Sequence, residues 1–422
     1  MQDKSYVPFT EEMKREYTIL VPNMLPMHFE LIIRVLETYG YKMELLRTSG
    51  AQIAETGLRY THNDACYPAV LVIGQFMDAL LSGKYDPHKT ALIMFQTGGG
   101  CRASNYISLI RKALKKAGME YVPVISFSLA GLERHPGFRL SVRKLHRMLY
   151  AVLYGDLLMS LVNQVRPFER EKGRAEALAG QWTDRLGREL GETNRVSYRR
   201  VKANYREIVR SFTEVPADRR PAPRVGIVGE IFVKYSPLAN NDLERFLIRE
   251  GAQTVVPGLL DFCLYAVYNS LAMHDLYGGH WLRSLAIRPV WRFLNHKRDA
   301  VSRALTEGGF EGFTPFDQVV EGAGDVISQA VKMGEGWLLP AEMLELARSG
   351  RKNIVCTQPF GCLPNHICGK GMMKPIKDRN PNVNIVAIDY DAGATRVNQE
   401  NRLKLMLANA RRIQAEKARN AS

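Results

Sequence analysis

The sequence has no GxxxxGK[ST] run and no GxGxxG, so neither a P-loop nor a dinucleotide fingerprint is present to hold a nucleotide. Its six cysteines, Cys66, Cys101, Cys263, Cys356, Cys362 and Cys368, include no CxxC pair. That argues against a zinc ribbon and against a thioredoxin-like redox pair. No uninterrupted apolar run is long enough to cross a bilayer. The opening stretch, MQDKSYVPFTEEMKREY, is polar and mixed in charge, unlike a signal peptide. The expectation is a cytoplasmic protein without a membrane span, where reducing conditions disfavour disulfides. An RNA-binding signature and an alternating basic-aromatic pattern are also missing, so nucleic acid is disfavoured as a partner.

What is present is a basic globular chain. Among 422 residues, 58 are Lys or Arg and 43 are Asp or Glu, a formal net charge of +15. Such a surface suits an acidic protein, an anionic lipid, a phosphorylated cofactor or nucleic acid. The excess is concentrated between Arg134 and Arg224, where a solvated helical face explains it as well as a binding surface does. The length exceeds a single ordinary core, which rarely grows past about 250 residues.

Apolar runs alternate with helical patterns. Strands are expected at 16–24, 42–48, 90–97 and 121–128, with helices at 27–40, 67–86 and 103–119. That alternation predicts a parallel, doubly wound sheet. The same strand-loop-helix pattern returns in 224–390, with strands at 224–233, 252–258, 352–356 (ending at Cys356 and running into a loop to Cys362) and 382–391. Three regions follow: a Rossmann-like α/β domain over 1–130, an arginine-rich helical region with a proline-containing linker over 131–220, and a second α/β region over 221–422 with a long helical insertion at about 259–350. The predicted class is α/β, with two or three Rossmann-like parallel-sheet domains and a helical insertion.

Chemistry concentrates around the cysteines. Cys66 precedes Tyr67-Pro68 at a helix start, and Cys101 follows a strand and Gly98-Gly99-Gly100. Cys263 opens an apolar helix, and Cys362 lies in QPFGCLPNH after a strand. Ligands of open parallel sheets bind at the carboxyl ends of strands, so these cysteines can meet in one crevice. Helix N-termini there would favour thiolates. Sulfur donors in this number select soft metals, and an iron–sulfur cluster suits them better than zinc. Cys263, Cys356 and Cys368 read equally well as buried apolar residues. Two rivals stay open. The three glycines could wrap a phosphate in backbone amides, or a cysteine nucleophile could work with His62 or His366. Asp64, Glu230 and Asp261, near strand ends, read as caps or hydrogen-bond acceptors.

The segments NDACYPA (63–69), FQTGGGCRASNY (95–106) and the stretch from Cys356 to Leu407 closely resemble the carboxy-terminal part of large proteins related to 2-hydroxyacyl-CoA dehydratase activases. That part is similar to the dehydratase subunits and to double-cubane-cluster proteins. The resemblance implies Rossmann-like domains enclosing a 4Fe-4S cluster on three cysteines: Cys66, Cys101 and Cys362, with Cys356 and Cys263 as further candidate ligands. Asn63, Gly98, Gly99, Gly100, Gln358 and His366 would line the pocket. An 8Fe-9S double cubane would need all six cysteines. The resemblance further implies an iron-sulfur reductase or dehydratase-like component, an iron–sulfur lyase or ATP-coupled reductase, fed electrons by a separate ATP-hydrolysing iron-sulfur activase. A homo- or heterodimer and a CoA thioester or other small-molecule substrate belong to the same expectation. The alternatives are a cluster-bearing electron carrier or scaffold, and a cluster-free phosphate-ligand-binding protein.

Overall fold

The computed structural model describes residues 6–95, 100–127, 133–192, 195–278 and 281–421. Strands β1 (Thr18–Val21), β2 (Lys42–Leu45), β3 (Thr90–Phe95) and β4 (Val124–Phe127) form a parallel sheet in the order β2-β1-β3-β4. Strands β5 (Arg224–Gly229), β6 (Gln253–Val255), β7 (Asn353–Pro359) and β8 (Asn384–Tyr390) form a second one, in the order β6-β5-β7-β8. Both sheets therefore share one strand order, and the coarse duplication in the sequence is a duplication of topology. Parallel strands covered on both faces read as continuous apolar runs. Accordingly Ile19, Leu20, Leu92, Val225, Ile227, Ile354 and Val355 are fully buried.

In each sheet the chain steps outward once and then returns to the other side of its first strand. The switch points lie between β1 and β3 and between β5 and β7, where open sheets bind ligands. The two switch points are tied together. Ser236, at the end of the short helix that follows β5, donates its hydroxyl to the carbonyl of Asn23, just after β1, at 2.8 Å.

The central region is three helices, Val142–Val165, Arg174–Glu192 and Tyr198–Thr213. Asp156, 4% exposed, joins them to both α/β units. One carboxylate oxygen meets His28 Nε2 at 2.8 Å and accepts the amide of Leu259 at 2.7 Å. The other accepts the amide of Leu260 at 3.0 Å. Asp156 thereby caps the helix Leu259–Tyr277. Many arginines of this region pair locally: Arg166 with Glu176, Arg185 with both oxygens of Glu207, and Arg170 with Asp218. The basic stretch is therefore in good part a paired helical surface. By length and composition alone Val142–Val165 could cross a membrane, but charged residues such as Arg147 and Asp156 interrupt its apolar run, and it is packed inside the fold.

Some boundaries differ from expectation. The strand expected to run to 233 stops at Gly229, and Ile231–Tyr235 is a helix capped by the Glu230 side chain, which accepts the Val233 amide at 2.8 Å. The helix Ala51–Tyr60 was not anticipated.

Candidate functional site

Three cysteine-bearing loops reach the facing switch points. Cys66 is the N-cap residue of the helix Tyr67–Leu81. That helix crosses Ala51–Tyr60 very closely, because Gly57 and Gly74 have no side chains: a Cβ on either would sit 2.0 Å from a carbonyl oxygen of the partner helix. Cys101 follows β3 and caps the short 3-10 turn Arg102–Asn105. Cys362 follows β7, and its amide bonds the Pro359 carbonyl at 3.3 Å. The Tyr67 amide donates to the Phe360 carbonyl at 3.0 Å, so the Cys66 and Cys362 loops are joined through their backbones. Gly361, at φ 70°, lets them touch: a Cβ there would lie 3.1 Å from Cys66 Cα.

The three thiols share an electrostatic environment. Cys101 feels the Cys66 thiol and the carboxyls of Glu335 and Glu230. Cys362 feels Glu230, Glu335 and the Cys101 thiol. Glu230 is 9% exposed and Glu335 6%. Both carboxylates hold the N-terminus of the helix Ile231–Tyr235, Glu230 through the Val233 amide and Glu335 through the Ile231 amide at 2.9 Å. Glu335 is delivered by a loop in which Gly334 and Gly336 both have positive φ, 59° and 45°. A Cβ on Gly334 would lie 3.9 Å from Cys101 Sγ. Met333 Sδ fills the space where Gly100 has no side chain. Tyr106, buried, brings its hydroxyl to 3.1 Å from Cys66 Sγ.

Burial and like charge dominate the titration. Burial pushes the Cys101 thiol up to about 11, with Glu335 and Glu230 adding to it and the Ala103 amide opposing. Cys66 and Cys362 are raised as well, first by burial. The helix N-termini expected to favour thiolates are present, but desolvation outweighs them. Burial beside Glu335 lifts the Glu230 carboxyl to about 8, and burial raises Glu335 too.

The remaining candidates are placed as follows. Cys356 is not at a strand end: it lies mid-strand in β7, opposite Val228 and Ala387, fully buried in an apolar cluster, with its thiol 3.7 Å from Asn365 Oδ1. Cys263 lies in the helix Leu259–Tyr277, where Asp156 and Asp261 are its charged neighbours. Cys368 is buried in the turn Asn365–Gly369 and has Glu335 as its charged neighbour. His366 Nδ1 lies 2.7 Å from the Cys362 carbonyl and 2.7 Å from Gln358 Nε2, so these two residues support the Cys362 loop. Gly100 is exposed beside Cys101, and Asn63 is exposed three residues before Cys66. Gly98 and Gly99 lie outside the described residues. Glu230 is the cap it was expected to be, and Asp261 accepts a bidentate hydrogen bond from Arg298 at 2.5 and 3.0 Å. Sequence reasoning missed Glu335 and Tyr106. The Gly-Glu-Gly of 334–336, breaking a helical pattern, was the signal for the first.

Among the described residues, no three His, Cys, Asp or Glu side chains lie close enough to share a single metal ion. One ion needs its ligands about 2.0–2.6 Å from a common centre. A polynuclear iron–sulfur cluster makes a different demand: each thiolate binds its own corner, and the donors are sulfur. Cys66, Cys101 and Cys362 offer such sulfur donors from three separate loops. No protein-family model matches the chain, and no curated protein sequence matches it.

Proposed function

We propose that this chain is an iron–sulfur reductase or dehydratase-like component that binds a 4Fe-4S cluster and takes a low-potential electron from a separate ATP-hydrolysing activase. The observation that carries the reading is the joining of the Cys66 and Cys362 loops through Tyr67 and Phe360, with Gly334 lying between Cys101 Sγ and Pro364 of the Cys362 loop. These three would hold the cluster. When bound, it would supply one-electron chemistry at low potential and, with three thiolates, an iron free for a non-protein ligand.

The chain's own residues would do the rest. Glu230 and Glu335 hold the helix Ile231–Tyr235 against the thiols and keep a proton within the site near neutral pH. His366 and Gln358 fix the Cys362 loop. Exposed Met333, Phe360, Leu363 and Ile367 sit beside these loops, an apolar rim that would keep water away from the site when a partner covers it. The positive net charge would favour an acidic activase. Cys356 and Cys263 fall outside this set, so the reading is a single cubane rather than an 8Fe-9S double cubane.

A second reading has its own support. A small cavity of about 70 Å³ between the helix Val142–Val165 and the second α/β unit, lined by Asn163, Thr254, Asp261, Arg298 and Glu342, lies against β6 and includes no cysteine. A cluster-bearing electron carrier without a substrate of its own is consistent with that separation. Anaerobic titration with dithionite, followed by visible absorbance and electron paramagnetic resonance, tests both. Uptake of one electron per chain with bleaching supports a cluster. Turnover of a 2-hydroxyacyl-CoA thioester with activase and ATP would then select the enzyme, and its absence the carrier. A colourless protein that takes up no electron contradicts both.

A further inference from the structure

Tyr106 is the first residue of the helix Tyr106–Lys116 and lies five positions after Cys101. Its ring is buried in the core of the first unit, at 5% exposure. Buried tyrosines commonly place the hydroxyl on a nearby carbonyl or on water. Here, among the described residues, its partner is the Cys66 sulfur at 3.1 Å. Cys66 itself sits where the two sheets meet, pressed by Gly361 on one side and by the core on the other.

We propose that Tyr106 is a positioning residue for the thiol site: its hydroxyl donates a hydrogen bond to Cys66 Sγ, fixes that sulfur's direction and draws charge from it. The inference rests on the cluster reading above. A metal-bound or ionised sulfur has no proton to give, so only the phenol can donate. Hydrogen bonds to cluster sulfurs are among the levers that set a cluster's potential. Partners that orient a ligand are worth about 10–100-fold in metal affinity. The bond also links two of the three thiol loops through one side chain, since Tyr106 continues the segment that carries Cys101.

The test is Tyr106→Phe in the full chain, purified without oxygen beside the wild type. Both are expected to contain the same iron at isolation. The variant should lose iron to a chelator about tenfold faster, and its midpoint potential should shift to a more negative value. A variant that holds iron with unchanged potential and unchanged release would overturn the proposal, leaving Tyr106 as core packing. If neither protein holds iron, the cluster reading fails instead, and the metal-free proteins decide the matter. Alkylation of Cys66 by iodoacetamide at pH 8, relative to Cys101 in the same chain, should slow several-fold in Tyr106→Phe. Equal relative rates would overturn the proposal there too.

Discussion

The Tyr67 amide donates to the Phe360 carbonyl at 3.0 Å, and this bond joins a loop of the first sheet to a loop of the second. It brings Cys66 and Cys362 to the same place without any side chain having to reach. Gly361 makes the contact possible, since its φ of 70° is left-handed and its Cα hydrogen faces Cys66 Cα. Gly361→Ala should therefore cost about 1–3 kcal/mol in urea unfolding. It should also lower iron retention by displacing Cys66, which metal analysis of the same preparation would show.

The cysteines should separate into two groups by mutation. Cys66→Ser, Cys101→Ser and Cys362→Ser should each lose most of the bound iron while keeping the fold. Cys356→Ser should do the reverse, because a hydroxyl in the apolar interior of β7 costs about 1–3 kcal/mol. Cys263→Ser should keep its iron. Iron content and melting temperature, measured together, check the separation.

Glu230 gives a pH signature to the metal-free protein. Its carboxyl is raised from an ordinary 4.5 to about 8 by burial beside Glu335. The folded state then binds this proton more tightly than the unfolded state does. The stability it confers is complete below about pH 4.5 and is lost as pH rises through about 8. Glu230→Gln keeps an oxygen for the Val233 amide and removes the charge. Its melting temperature should fall less than the wild type's between pH 5 and 8.

Asp156 should matter for stability alone. Asp156→Ala leaves His28 and the amides of Leu259 and Leu260 without their acceptor in the interior. A loss of about 2–4 kcal/mol in urea unfolding is expected, with no change in the iron held by the folded fraction.

Much of this was legible in the sequence because parallel strands are covered on both faces. Ile19, Leu92, Val225 and Ile354 sit in continuous apolar runs that no surface strand would carry. The alternation with helices then gave two doubly wound units. The glycine and proline neighbours of Cys66, Cys101 and Cys362 marked them as loop residues. The errors share a cause, which is that local runs do not reveal where hydrogen bonds end. Ile231, Phe232 and Val233 look like more of β5, yet Gly229 turns at φ 140° and Glu230 caps a helix. Cys356 looked like a strand end because QPFG follows it, yet β7 stays paired with β8 as far as Pro359 and Tyr390. The helix Ala51–Tyr60 buries only Ile53, Ala54 and Gly57, a face too thin to register. The Gly-Glu-Gly signal could mark Glu335 but not give its role, which depends on a loop that meets Ile231 from 104 residues away.

The most direct test of the central claim is the iron and acid-labile sulfide content of the chain purified without oxygen. About four irons and four sulfides per chain are predicted, as one 4Fe-4S cluster requires. About eight irons would contradict the single-cubane assignment by requiring Cys263, Cys356 and Cys368 as ligands. No iron, even after anaerobic reconstitution, would contradict the cluster reading itself.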